Sequence, residues 1–205
     1  MISMRLLKIN RIAFLFIGCL FLLSPSQAQR LEVRFNKEFS NDKMINKTLG
    51  AGGSFIIDGW VDHFDFQINF DYAGHKEDAD YTGVSTKIAK YKGGVSALYT
   101  RPIGRLMHLR IGGDLSYNYI NKVNTLWDNG KHYNTAHRAH ALGIGAIAQL
   151  QIQLGQMFRI GAGLIPTYLI PLATDVSQPN VECDFKKGIF VLQLQIGLEI
   201  RLVKE

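Results

Sequence analysis

From position 190 to position 202 apolar residues fall on every second place: Phe190, Leu192, Leu194, Ile196, Leu198, Ile200 and Leu202. Between them lie Val191, Gln193, Gln195, Gly197, Glu199 and Arg201, with Val203 following. A period of two puts one set of side chains on each face of a β-strand. The run is about twice as long as the five or six residues usual for a strand in a soluble protein.

The pattern recurs upstream. Phe64, Phe66, Ile68, Phe70 and Tyr72 alternate with Asp65, Gln67, Asn69 and Asp71. Leu109, Ile111, Leu115, Tyr117 and Tyr119 alternate with Arg110, Gly112, Asp114, Ser116 and Asn118. Leu142 to Ile152 and Phe158 to Tyr168 repeat it, and Leu31–Phe39, Leu49–Ile57 and Tyr91–Tyr99 carry less regular versions. The spacing predicts eight strands, at 30–39, 48–58, 63–74, 89–100, 106–120, 138–153, 157–172 and 188–203. No helical period and no internal repeat competes with it.

From the second strand onward the connections alternate in length. Gly59 to Asp62, Arg101 to Arg105 and the stretch around Gly155-Gln156 are short; 75–88, 121–137 and 173–187 are long and polar, and 40–47 is intermediate. With an even strand number, every short turn falls at one end of the sheet together with both termini, and every long loop at the other. Short turns at one end and long loops at the other are the arrangement of an outer-membrane barrel. The predicted fold class is therefore all-β, an eight-stranded antiparallel up-and-down transmembrane β-barrel with short periplasmic turns and long external loops.

Alternation alone leaves open which face points inward. A soluble secreted lipocalin-like barrel would turn the apolar face in and bind a small hydrophobic ligand. Two features favour lipid outside. The polar face is rich in Gly, Gln, Ser and Asn, which suit a crowded interior, and the rings of Trp60, Phe64, Tyr72, Tyr91, Tyr99, Tyr117, Tyr119, Phe158, Tyr168 and Phe190 gather near strand ends as interfacial girdles do. Lipid outside would bury Arg34, Asp65, Asp71, Arg110, Asp114, Arg159, Glu199 and Arg201 in the lumen, mixed in sign, and predicts an ion-pair network there. A lumen filled by side chains excludes a wide diffusion pore.

Composition adjusts this picture in one respect. Hydrophobic residues make up 47% and charged residues 20%, and the mean hydropathy of +0.02 suits a chain in which only alternate residues meet lipid. The net charge of +6 includes Arg5, Lys8 and Arg11, the basic start of an expected signal peptide over residues 1–28. Its apolar stretch Ile12–Leu23 is too short to span a bilayer as a helix, and Ser26 and Ala28 place small residues before a cleavage site at Gln29. Removing those three charges leaves 20 basic residues against 17 acidic ones, which does not mark a nucleic-acid-binding protein. The barrel domain is expected over 29–205. Cys19 falls in the leader, so Cys183 would be the sole cysteine of the mature chain, without an internal disulfide.

Candidate chemistry is sparse. Asp62-His63-Phe64-Asp65 pairs a histidine with carboxylates but sits on a predicted periplasmic turn. None of the six histidines is followed two residues later by serine, so an outer-membrane lipid-modifying hydrolase, the third functional reading, lacks its nucleophile pattern. His132, His137 and His140 gather at one long loop without a carboxylate or thiol at ligand spacing. Gly143-Ile144-Gly145 and Gly161-Ala162-Gly163 lie inside strands, with no helix to complete a phosphate cradle. Asn46-Lys47-Thr48 matches a glycosylation acceptor by chance composition. The expectation is a non-enzyme without catalytic, cofactor or metal residues. Leu126, Trp127 and Tyr133 place large groups in the longest polar loop, as a contact patch or as packing within the loop.

With leader, strands such as Phe190–Leu202 and loops in place, residues 30–203 resemble the small eight-stranded outer-membrane barrels, the OmpA/OmpX-like and porin-family β-barrel domains. Many of those end on an aromatic residue, where this chain ends Leu202-Val203-Lys204-Glu205. The resemblance implies residence in the bacterial outer membrane, contact with outer-membrane lipids and insertion by the barrel assembly machinery. It also implies a structural or surface-interaction role in the cell envelope, with 75–88, 121–137 and 173–187 as the surfaces for an extracellular partner.

Overall fold

The computed structural model describes residues 29–42, 45–58, 63–79, 84–128, 131–178, 185 and 187–202. The expected leader over 1–28, Trp60, Asp62 and Cys183 lie outside the described residues. Eight strands follow in chain order: β1 (Gln29–Ser40), β2 (Leu49–Asp58), β3 (Phe64–Ala79), β4 (Val84–Ile103), β5 (Met107–Asp128), β6 (Lys131–Leu154), β7 (Phe158–Val176) and β8 (Ile189–Arg201). Each pairs antiparallel with its neighbours in sequence, and β1 closes on β8 from Arg30↔Arg201 to Ser40↔Val191. Closure leaves no sheet edge, so the backbone of all eight strands is paired within the wall.

Burial follows the alternation. Along β1 the outward Leu31, Val33, Phe35 and Phe39 are exposed, whereas Arg30, Glu32, Arg34, Asn36 and Glu38 are buried. Along β8 Phe190, Leu194, Ile196 and Leu198 point outward, and Gln193, Gln195 and Glu199 point inward. The apolar face is therefore outside. A lipocalin-like barrel requires the reverse, with an apolar lumen, whereas this lumen is crossed by buried charges.

All eight predicted strands are present, but β3 to β7 run further than the apolar pattern does. Most of 75–88 and 121–137, expected as loop, continues the ladder, which reaches Ala79↔Val84 and Asp128↔Lys131. Beyond Tyr72, Tyr91 and Tyr119 the period-two apolar signal fades because the outward face turns small or polar, with Gly74, Ala89 and Asn121 and then Lys76 and Lys87 following the ring row. The backbone ladder needs no apolar face to persist, and side-chain hydrogen bonds cross it, Thr86 to Asn124 at 3.1 Å and Thr125 to Asn134 at 2.8 Å. The β3–β4 and β5–β6 pairs thus stand as projecting hairpins. At the opposite end, Gly104 (φ 76°) and Gly155 (φ 74°) supply the left-handed residues of two tight turns.

Toward the hairpin end the lumen holds an apolar plug. Ile45, in the 3-10 turn Ile45–Lys47, and Phe185, in the β7–β8 connection, fold onto Ile88, Ile120, Leu169 and Ile189. These inward apolar residues sit on a face whose lower part is polar, so the face changes character along the barrel axis.

Candidate functional site

Three regions of the barrel carry chemistry: the charged lumen, the outer wall and the projecting hairpins.

In the lumen, Arg30 reaches Glu199 at 2.7 Å and Asp65 at 2.9 Å, while Arg110 reaches the same two carboxylates at 3.2 and 3.0 Å. The four groups form a closed ring of alternating sign drawn from β1, β3, β5 and β8. Gln151 donates to Glu199 at 3.0 Å, and Arg159 approaches it at 3.4 Å. Further along the axis Arg34 binds Asp71 through two parallel contacts of 2.8 Å and also donates to Ser54. Such a fork-to-fork pair fixes geometry as well as charge. Gly52 makes room for it, because a Cβ there would fall inside the Asp71 carboxylate. Lys92 then meets Asp114 at 2.8 Å, and Lys90 meets Glu38 at 2.5 Å. Asn69 and Ser96 link the Arg34 and Lys92 pairs, with Asn69 donating to Ser96 at 2.6 Å and Ser96 donating to Asp114 at 2.8 Å.

The expected network is therefore present and larger than expected. Arg34, Asp65, Asp71, Arg110, Asp114 and Glu199 are buried in it, and Arg159 and Arg201 are half-buried toward the turn end. Arg30, Glu32, Glu38, Lys90 and Lys92 belong to it as well. For Arg30, Glu32 and Glu38 the signal is parity, since they share the inward face of β1 with Arg34. On β4 that parity was obscured by Gly93-Gly94. The paired glycines of β6 and β7 point inward as small residues, Gly143 against Ser116 and Asn118, and Gly163 against Gln149 and Gln195.

The outer wall carries an apolar belt from Phe64 to Tyr72 on β3, from the half-exposed Leu109 to the half-exposed Tyr119 on β5, and from Phe190 on β8 to Leu202 just past its end. Each run is about ten residues, the length a tilted strand needs to cross a bilayer. Rings border both rims. Near the turn end Tyr99 packs edge-on against Phe64 and His63, with centroids 5.5 and 5.9 Å apart. Toward the hairpins Tyr72, Tyr91, Tyr119 and His140 stand in one cross-strand row, and the Tyr117 hydroxyl bonds His140 Nδ1. Tyr72, Tyr91, Tyr117, Tyr119 and Tyr168, expected near strand ends, lie mid-strand, because β3, β4, β5 and β7 continue beyond the rim.

The candidate histidine groups are not brought together. His63 rests on Tyr99, whereas Asp65 is engaged with Arg30 and Arg110 in the lumen. His137 is buried inward and His140 faces outward, so the barrel wall separates them; the side chain of His132 lies outside the described residues. On the β5–β6 hairpin Leu126 stands opposite Tyr133, and both are exposed along with Trp127. Lys47 contacts Glu77 at 2.5 Å at this end, and that hydrogen bond holds the Glu77 carboxyl below the usual range.

No protein-family model matches the chain, and no curated protein matches it in sequence. Solved structures do. Neisserial surface protein A (NspA) aligns over 86% of this chain and 97% of its own, at 14% identity and a TM-score of 0.57. A major outer membrane protein from Thermus thermophilus aligns over 85% and 99%, at 13% identity and 0.63. Ail, the attachment invasion locus protein of Yersinia pestis, aligns over 86% and 97%, at 12% identity and 0.52. At these identities the likeness is one of fold: the chain has the fold of the small outer-membrane β-barrels.

Proposed function

We propose that the protein resides in a bacterial outer membrane as a non-enzymatic barrel with a structural or surface-interaction role, carried by its projecting hairpins. The observation that carries this reading is the pairing of an exposed apolar belt with a buried, charge-paired lumen. Such a molecule is stable where hydrocarbon covers the belt, and unpaired apolar surface on this scale is not tolerated in water. The filled lumen and its apolar plug support the absence of a wide diffusion pathway. Outer-membrane lipids are then the constant partner of the wall, and the barrel assembly machinery is the expected agent of insertion.

The hairpin end supports the surface role. Trp127, Leu126 and Tyr133 stand exposed beyond the rim, and aromatic residues of this kind anchor protein contacts. Ail, named for attachment and invasion, shares the fold, and an attachment role for this chain agrees with that likeness.

Cysteine labelling tests location and orientation together. In a Cys183→Ser background, Trp127→Cys is expected to react with a membrane-impermeant maleimide in intact cells. Arg105→Cys, on a tight turn, is expected to react only after the outer membrane is permeabilised. Labelling of Arg105→Cys in intact cells would reverse the orientation, and recovery of the chain in the soluble fraction would remove the membrane reading.

A further inference from the structure

The outer wall differs from one side to the other. On β3 to β6, Tyr72, Tyr91, Tyr119 and His140 are directly opposite one another, with successive ring centroids 5.2, 6.2 and 5.1 Å apart. One step toward the turn end, Gly93 stands opposite Phe70 on one side and Tyr117 on the other. The missing side chain leaves an open depression of about 480 Å³ between those rings. A Cβ at Gly93 would lie 4.0 Å from the Phe70 ring, so close packing does not demand a glycine there.

The other direction along the same strands is cationic. Beyond the aromatic row comes a row of small or neutral residues, Gly74, Ala89 and Asn121, and then Lys76 directly opposite Lys87. Like charges directly opposite each other destabilise an antiparallel pair. Asp78 answers Lys76 at 2.8 Å, while among the described residues no carboxylate answers Lys87. The wall thus presents an apolar depression, a shelf of half-exposed rings and an excess of positive charge, in that order along one line.

We propose that this line binds one molecule of a phosphorylated glycolipid: an acyl chain in the Gly93 depression, a sugar ring against the tyrosine shelf, and a phosphate at Lys76 and Lys87. The spacing selects the headgroup. From Tyr91 to Lys87 the strand rises about 13 Å, at about 3.3 Å per residue. A glycerophosphate places its anion close to the acyl boundary, whereas a sugar headgroup spans that interval. The apolar faces of sugar rings also match exposed tyrosine rings better than a glycerol does. The proposal deepens the outer-membrane reading and rests on it.

Native mass spectrometry of the folded barrel in detergent tests this. The probes are an acylated, bisphosphorylated diglucosamine, its dephosphorylated form and phosphatidylglycerol. The expected result is one retained bisphosphorylated molecule per barrel, with affinity at least about tenfold lower for K76E/K87E, for G93L and for the dephosphorylated probe. Lys76 and Lys87 lie beyond the apolar belt, so K76E/K87E keeps the barrel fold, and its unboiled gel mobility checks that. Equal retention of phosphatidylglycerol, equal retention of the dephosphorylated lipid, or undiminished binding by K76E/K87E would overturn the proposal. A barrel that folds in detergent but retains no lipid refutes this site alone; a chain that folds without detergent refutes the reading beneath it.

Discussion

Arg110 on β5 and Glu199 on β8 lie 89 residues apart in the chain and meet at 3.2 Å in the lumen, where both are almost fully buried. Asp65 and Arg30 complete the ring, within which each cation touches two anions and each anion two cations. Removing one member leaves its two desolvated partners with half their counter-charge in the ring. Glu199→Ala would leave Arg30 and Arg110 facing each other with Arg159 nearby, and is expected to cost about 3–5 kcal/mol. Urea unfolding in detergent measures it. Glu199→Gln keeps the hydrogen-bond acceptor but loses the charge, and its stability should fall between those of the native chain and Glu199→Ala.

The outward face should respond in the opposite sense to charge. Ile196 lies midway between Phe190 and Leu202 on the belt and is exposed. Ile196→Arg is expected to lower stability in bilayers by about 2–4 kcal/mol, while Trp127→Arg, beyond the rim, changes it by about 0–1 kcal/mol. Reversible unfolding from lipid vesicles compares the two. An arginine at 196 that costs nothing would mean that water covers this wall.

Phe185 packs into the apolar plug from a loop rather than from a strand. Its side chain is buried against the inward residues of the plug, so Phe185→Ala is expected to cost about 3–5 kcal/mol. Limited proteolysis should then cut the β7–β8 connection faster than in the native chain, with the eight strands still protected.

Glu77 and Lys47 offer a titration at the hairpin end. The Lys47 hydrogen bond and charge hold the Glu77 carboxyl below the ordinary range. A depressed carboxylate contributes above its unfolded pKa, and that contribution is lost as pH falls through the folded value. An NMR titration of the Glu77 side-chain carbon should show a midpoint below that of an unpaired glutamate, and Lys47→Met should move it back up.

The fold was legible in the sequence wherever a strand crosses the belt. Phe190–Leu202 and Phe64–Tyr72 state both the period and the face, because lipid on one side and a packed lumen on the other demand opposite residue types at neighbouring positions. The hairpin extensions were not legible. At Lys76, Lys87 and Asn124 the regular alternation of apolar and polar positions is broken, so a ladder and a loop leave the same composition. The plug was hidden for another reason: Ile45 and Phe185 come from short connections with no period to read. The ion-pair network was readable in kind but not in partners. Alternation assigns Arg34 and Asp71 to the lumen, and only the register of β1, β2 and β3 brings them together. Alternation also set His137 and His140 on opposite faces, which their closeness in sequence concealed.

Heat-modifiability is the most direct test of a lipid-facing barrel. The purified mature chain would be run on SDS gels, boiled and unboiled, beside circular dichroism with and without detergent. The barrel described above predicts a mobility shift on boiling and a β-rich spectrum only when detergent or lipid is present. A chain that is β-rich and soluble without detergent, and whose mobility does not change, would contradict it.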